Sequence, residues 1–401
     1  MDLGAAQASL QGSRIDGWLV YDFWKMNAVL QEALGGEQML TRRTFLWVPA
    51  RGAAVLLAST VDLGRLKSPY EVRTYTSGEE LRTQLALLLR GCSRVAMEYS
   101  PGGDVPVVSR VDKGTIELIE SFGVEVVSSA DAYQAAVATF SAEQLASHRL
   151  ACAETTTLVL EAFAHVGATL RAGGTIDERG LAEWMMQRAQ KAGFVIPYVP
   201  IVAEGPNSAI PHYGPAPTGS RPIRAGSWLL LDYDLKIPEP MAVPADITWV
   251  GYVGAEVPDE QQRVFVAVRD ARDHGLQLLR QAAAKGTTLQ GYEVDRSVRA
   301  FLNARDPTMG GHFLHRTGHS LGPRGHGSGA NLDDYETHDV RPLVQGTAFS
   351  IEPGVYLPGR FGVRSEINVY LGPQGPEVTT PIQREVVCID DGASIPTGPR
   401  S

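Results

Sequence analysis

Gly226-Ser-Trp-Leu-Leu-Leu-Asp232 and Gly346-Thr-Ala-Phe-Ser-Ile-Glu352 are two stretches built alike: a glycine, a hydroxyl residue, a mostly apolar run and an acid. A second acid follows each frame at the same distance, because 246 − 232 and 366 − 352 both equal 14 for Asp246 and Glu366. The frames themselves lie 120 residues apart, and between them runs His312-Phe-Leu-His315-Arg-Thr-Gly-His319, followed by His326. Each first acid closes a run that reads as a buried strand, where an unpartnered carboxylate cannot stay charged. Four such groups at one place would repel by several kcal/mol unless cations neutralise them. Carboxylates with one imidazole suit Mn, Co or Zn. Two such ions would bring a shared water towards neutrality, giving a hydroxide for attack on a carbonyl.

The helical patterns ahead of the frames repeat as well. Ser141-Ala-Glu-Gln144 is a capping box opening a long helix towards Leu170, which Ala172-Gly-Gly174 ends, and Thr175-Ile-Asp-Glu178 reads as a second capping box. Asp259-Glu-Gln-Gln262 caps a helix whose apolar stripe runs through Val264, Val268, Ala271 and Leu278. Lys285-Gly286 breaks it, and Thr287-Thr-Leu-Gln290 opens the next helix. Two helices followed by strands, twice, is an internal repeat, which implies two α/β halves about a pseudo-twofold with the acids meeting at the shared strands. Glycines at 318 and 322 point to a tight backbone around His319.

The 401 residues suggest more than one domain. Residues 1–135 alternate short apolar runs with helical spacing and predict an N-terminal α/β domain with a mixed or mostly parallel sheet. Its strands are expected at Gly17–Asp22, Thr44–Val48, Ala53–Ala58, Arg94–Glu98 and Val124–Val127, with helices at Glu79–Leu89 and Thr115–Ser121. The catalytic domain is expected over 141–390, and 391–401 reads as a flexible tail. A net charge of −9 argues against a nucleic-acid partner. Cys92, Cys152 and Cys388 form no ligand pattern and read as free thiols. The N-terminus lacks a signal-peptide pattern, and no run of about 18 apolar residues occurs, so the expectation is a cytoplasmic protein outside the membrane.

His315-Arg-Thr-Gly-His319, Ile351-Glu-Pro-Gly-Val-Tyr356, Asp246-Ile-Thr248 and Arg364-Ser-Glu366 together resemble the methionine aminopeptidase/prolidase/creatinase superfamily. Within it the chain is similar to the Xaa-Pro peptidases, prolidase and aminopeptidase P. The resemblance implies a pita-bread α+β catalytic domain with internal pseudo-twofold symmetry and two divalent ions held by Asp232, Asp246, His319, Glu352 and Glu366. It further implies that His315 stabilises the tetrahedral intermediate and that Glu352 shuttles a proton. His212, His326 and Arg364 would contact substrate, with positioning of Glu366 as the other role for Arg364. The expected substrate is a proline-containing dipeptide and the expected assembly a homodimer; Arg42-Arg43 reads first as a solvated strand end, with contact to the substrate carboxylate across the dimer as the other reading.

Three other readings carry their own tests: longer Xaa-Pro peptides as substrate, a metal-free creatinase-like amidinohydrolase, and a non-catalytic binding protein. All five ligand positions are filled, which favours the metalloenzyme. One departure stands out. The family shows Asp-x-Gly at the first ligand with a shorter interval to the second, whereas this chain has Asp232-Tyr-Asp234. Asp234 shares a strand face with Asp232. Asp232 is taken as the ligand because it ends the apolar run and matches Glu352.

Overall fold

The computed structural model describes residues Met1–Asp390, and the tail expected at 391–401 lies outside them. The chain divides into two compact units, Met1–Thr139 and Phe140 onward.

In the first unit six strands lie in the order 71–75, 55–59, 44–49, 17–22, 94–97, 125–128. The two pairs involving Thr44–Pro49 are antiparallel and the other three parallel, so the sheet is mixed. Trp18, Val20, Leu46, Val48 and Ala96 pack into one core, whereas their chain neighbours Leu19, Tyr21, Phe45, Trp47 and Val95 pack into another. Successive strand residues point to opposite faces, so unbroken apolar runs are what a sheet covered on both sides requires. The edge strand Glu71–Tyr75 and the helices Leu3–Gly12, Ala28–Ala33 and Ala130–Val137 had no strong pattern of their own.

The second unit opens as expected. Ser141 accepts from Gln144 N at 3.2 Å while Gln144 Oε1 accepts from Ser141 N at 2.9 Å, starting the helix Ala142–Arg171. The other three capping assignments are corrected. Ile176-Asp177 pairs with Pro222-Ile223 as a short strand, and Asp177, not Thr175, caps the helix Glu178–Lys191 through Gly180 N at 2.7 Å. Glu178 is instead fully buried and accepts from the backbone of Glu204 (2.7 Å) and Arg221 (3.0 Å) and from the Tyr213 hydroxyl (2.6 Å), fastening the loop that carries His212. The helix Asp259–Ala284 starts behind Pro258 without a side-chain cap. Helix Gly291–Arg305 has its capping box on Gln290 and Glu293, three residues later than the sequence pattern suggested.

Each half thus presents a long helix, a shorter helix and an antiparallel strand pair. In the first half Trp228–Leu235 pairs with Ala245–Val253; in the second Ala348–Ile351 pairs with Ile367–Gly372. The halves are stitched where these strands meet: Asp246 N donates to Asn368 Oδ1 at 2.9 Å, and Glu366 N donates to Thr248 O at 3.3 Å. Leu229 and Leu231 face the core under the first helices, while Leu230 and Val250 join Phe349, Ile351 and Val369 in the other core. Burial on both sides fixes the register, since a slip of one residue would turn every acid into a hydrophobic core.

Candidate metal centre

Asp246, His319 and Glu366 bring one ligand atom each within 4.8 Å of one another. His319 Nε2 lies 3.3 Å from Asp246 Oδ2 and 3.4 Å from Glu352 Oε1, while its Nδ1 faces Ser320 O at 3.1 Å. That backbone contact keeps a proton on Nδ1 and leaves Nε2 as the nitrogen facing the acids, the one a metal would take in place of its proton. Gly318 makes this placement possible: a Cβ there would lie 2.0 Å from Ser350 O. Burial works against a charged His319 ring, but Asp246 and Glu352 outweigh it and hold it at about 9.

The carboxylates are individually anchored. Thr248 Oγ1 donates to Glu366 Oε2 at 2.8 Å and Ser350 Oγ donates to Glu352 Oε1 at 2.9 Å. Burial raises the Glu352 carboxyl, yet His319, His315 and Arg364 together draw it below its usual range. Burial, then Asp246 and Glu352, push Glu366 well above its own. Glu366 is 1% exposed, and its Oε1 has no hydrogen-bond partner. An orphaned oxygen in a crowd of acids fits a site that can take a cation.

Asp232 stands apart from that triad. The strand does not end at it but continues to Leu235, and its Oδ2 is bonded to Arg364 Nη2. Burial raises its carboxyl to about 7, against the opposing pull of Arg364. Arg364, 3% exposed, also donates to Thr248 Oγ1 (2.9 Å), Pro211 O (3.1 Å) and Tyr356 Oη (2.8 Å). Four partners leave little of its five-donor fork for anything else. Tyr356 in turn shares a 2.7 Å hydrogen bond with His315 Nε2, and His315 Nδ1 meets Arg316 O at 2.8 Å. Burial lowers the His315 ring to about 4. His326 stacks on His319 with ring centroids 3.8 Å apart, and the His319 charge foremost lowers it to about 3.

Asp232, Asp246, His315, His319, His326, Glu352, Arg364 and Glu366, with His212, line one cavity of about 260 Å³ whose remaining wall includes Tyr198, Val199, Pro200 and Glu336. The structure therefore brings the nine site residues expected in the catalytic domain to one place. Tyr356 and Asp234 are site residues to which the sequence assigned no role. Tyr356 stood unexploited inside a recognised motif, and Asp234 was set aside in favour of its neighbour.

The sequence matches metallopeptidase family M24 over residues 148–373, more than half of the chain. The chain belongs to this family. It is 29% identical over 188 residues to an Xaa-Pro dipeptidase of Pyrococcus furiosus, covering 47% of this chain and 48% of that protein. It is 28% identical over 193 residues to a putative Xaa-Pro aminopeptidase of Mycoplasma pneumoniae, covering 48% and 49%. The fold is shared with dipeptidase PepE from Mycobacterium ulcerans, at a TM-score of 0.69 and 22% identity over 96% of each chain. The alignments span only about half the length of these two curated relatives. The α/β domain followed by the pita-bread unit is thus the M24 architecture, a metallopeptidase family whose chemistry rests on divalent ions. Among the described residues no helix is long and apolar enough to cross a membrane.

Proposed function

We propose that this protein is a metal-dependent Xaa-Pro dipeptidase that hydrolyses the imide bond before a C-terminal proline. The observation that carries the reading is the convergence of His319 Nε2 on Asp246 and Glu352 beside the orphaned Glu366 oxygen, in the wall of one cavity. Asp232, Asp246, His319, Glu352 and Glu366 would hold two divalent ions, Mn, Co or Zn, which supply Lewis acidity and an acidified water when bound.

The protein's own groups do the rest. Glu352, held below the usual carboxylate range, is ionised and ready to take a proton and pass it to the leaving imide nitrogen. His315 lines the pocket with its Nδ1 on Arg316 O and its Nε2 on the Tyr356 hydroxyl, and would steady charge on the carbonyl oxygen by exchanging one of these contacts for the substrate. His212 and His326 shape the wall of the pocket. Arg364 spends its donors on Asp232, Thr248, Tyr356 and Pro211, which favours a positioning role over direct substrate contact.

The cavity, about 260 Å³, lies just below the range of about 300 Å³ upward typical of ligand pockets, in keeping with a small peptide substrate. A cytoplasmic homodimer completes the proposal, supported by family likeness. The test is a substrate panel after chelation and reloading with Mn, Co or Zn. Leu-Pro and Ala-Pro should be cleaved, and non-proline dipeptides spared. Faster cleavage of Ala-Pro-Xaa tripeptides would convert the assignment to an aminopeptidase, and no cleavage with any metal would end it.

A further inference from the structure

Asp234 is a carboxylate lining this site that the five-ligand scheme leaves without a task. The strand register places it directly across from Asp246, whereas Asp232 faces Thr248. In the second half the register pairs Ile351 with Ile367, so Glu352 and Glu366 are the next opposed positions. By strand position, therefore, the counterpart of the Glu352–Glu366 pair is Asp234–Asp246. The Asp234 and Asp246 carboxyls lie within hydrogen-bonding reach, which two acids achieve only by sharing a proton or a cation. Asp234 Oδ1 is enclosed and without a hydrogen-bond partner, like Glu366 Oε1.

The surroundings hold Asp234 in that position. A Cβ on Gly325, whose φ is +85°, would lie 2.8 Å from Asp234 Oδ2, so the loop before His326 leaves room for this carboxylate and little else. Lys236, two residues on, gives its Nζ to Pro323 O at 3.0 Å and acts on Asp234 through space. Asp232, by contrast, already has Arg364 as its counter-charge. Formal charge balances as well. Five carboxylates carry −5, Arg364 carries +1, and two divalent ions would carry +4.

We propose that Asp234 is a further metal ligand of this chain, donating its free carboxylate oxygen to the ion held on the Asp246–His319 side. The inference rests on the metal centre proposed above and adds to it a sixth protein ligand. Such a ligand raises the negative charge around that ion and so its affinity for hard divalent cations.

Isothermal titration of the metal-stripped full chain with MnCl2 tests the proposal, using wild type, Asp234→Asn and Asp234→Gly. Wild type should bind Mn, and each variant should lose about tenfold to a hundredfold in affinity for one ion, the range seen when metal-site support is removed. Thermal unfolding provides a second readout. Removing one uncompensated charge should leave the metal-free variants at least as stable as wild type, while the Mn-induced rise in Tm shrinks. Unchanged affinity and an unchanged Mn-induced shift in either folded variant would overturn the role of Asp234. A wild-type chain that binds no metal would instead overturn the metal centre itself.

Discussion

The two acid frames read alike and are built differently. In the second half the fourteen-residue spacing from Glu352 to Glu366 encloses a folded hairpin, Gly354–Leu357 against Phe361–Arg364, that delivers Tyr356 and Arg364 to the site. That hairpin is locked down by Trp228 Nε1 donating to Gly362 O at 2.8 Å and Gly362 N donating to Ser208 Oγ at 2.8 Å. In the first half the same interval is spent on strand pairing down to Leu235–Ala245 and a Pro-rich turn. The result is that Glu352 and Glu366 flank a strand end, while Asp232 lies mid-strand with Asp234 beyond it. Equal spacing in sequence is not equal register in space. The half with the hairpin supplies the Arg364 cation that steadies Asp232 in the half without one.

If the halves meet in one metal centre, removing a shared ligand should have the largest effect. His319→Ala or Asp246→Asn is expected to lower kcat/KM by on the order of 10³-fold or more, because metal polarisation is worth several kcal/mol. Metal content measured on the purified variants should fall in parallel.

Cutting the tie from hairpin to first half comes next. Arg364→Ala would leave the buried Asp232 carboxylate without its partner, at about 3 kcal/mol or more of stability in the metal-free chain. Arg364→Lys should restore only part of this, since a single ammonium cannot reach four partners. Chemical denaturation of the three proteins measures the difference, and equal midpoints would break the link between the halves.

A comparable effect should appear with pH at the back of the site. His148 is fully buried between Pro244 O at 2.8 Å, in the first-half turn, and Thr379 Oγ1 at 2.7 Å, and burial lowers its ring to about 4. A neutral ring in the fold and an ordinary one near 6.5 in the unfolded chain mean that the unfolded state takes up the proton first. Stability is therefore complete above about pH 6.5 and is lost as pH falls towards 4, by about 3 kcal/mol in total. His148→Gln should flatten that part of the stability–pH curve, and an unaltered slope would count against it.

The smallest effect is reserved for the hairpin's hydroxyl. Tyr356→Phe removes a partner of both His315 and Arg364, and should cost about tenfold in kcat/KM with the fold retained. An equal loss of stability and activity would instead mark Tyr356 as structural.

Much of this was legible in the chain. Unbroken apolar runs gave the strands of the N-terminal sheet, and the one capping box with both serine and glutamine in place, Ser141–Gln144, held to the atom. The repeat, the acids and His319 emerged because glycines, apolar approaches and acids recur at fixed intervals. What escaped depended on tertiary contacts. Glu178 looked like a capping residue, but its carboxylate fastens the His212 loop instead. The strand Glu71–Tyr75 is polar because it sits at a sheet edge. Asp232 seemed to end its strand because the apolar run ended there, yet backbone pairing carried on through both aspartates to Leu235.

The central claim is that the acids of both halves and His319 hold a pair of divalent ions. Anomalous diffraction from crystals grown with Mn measures this directly. Two peaks enclosed by Asp232, Asp246, His319, Glu352 and Glu366 are predicted. A single peak, or none in that cavity, would contradict the account.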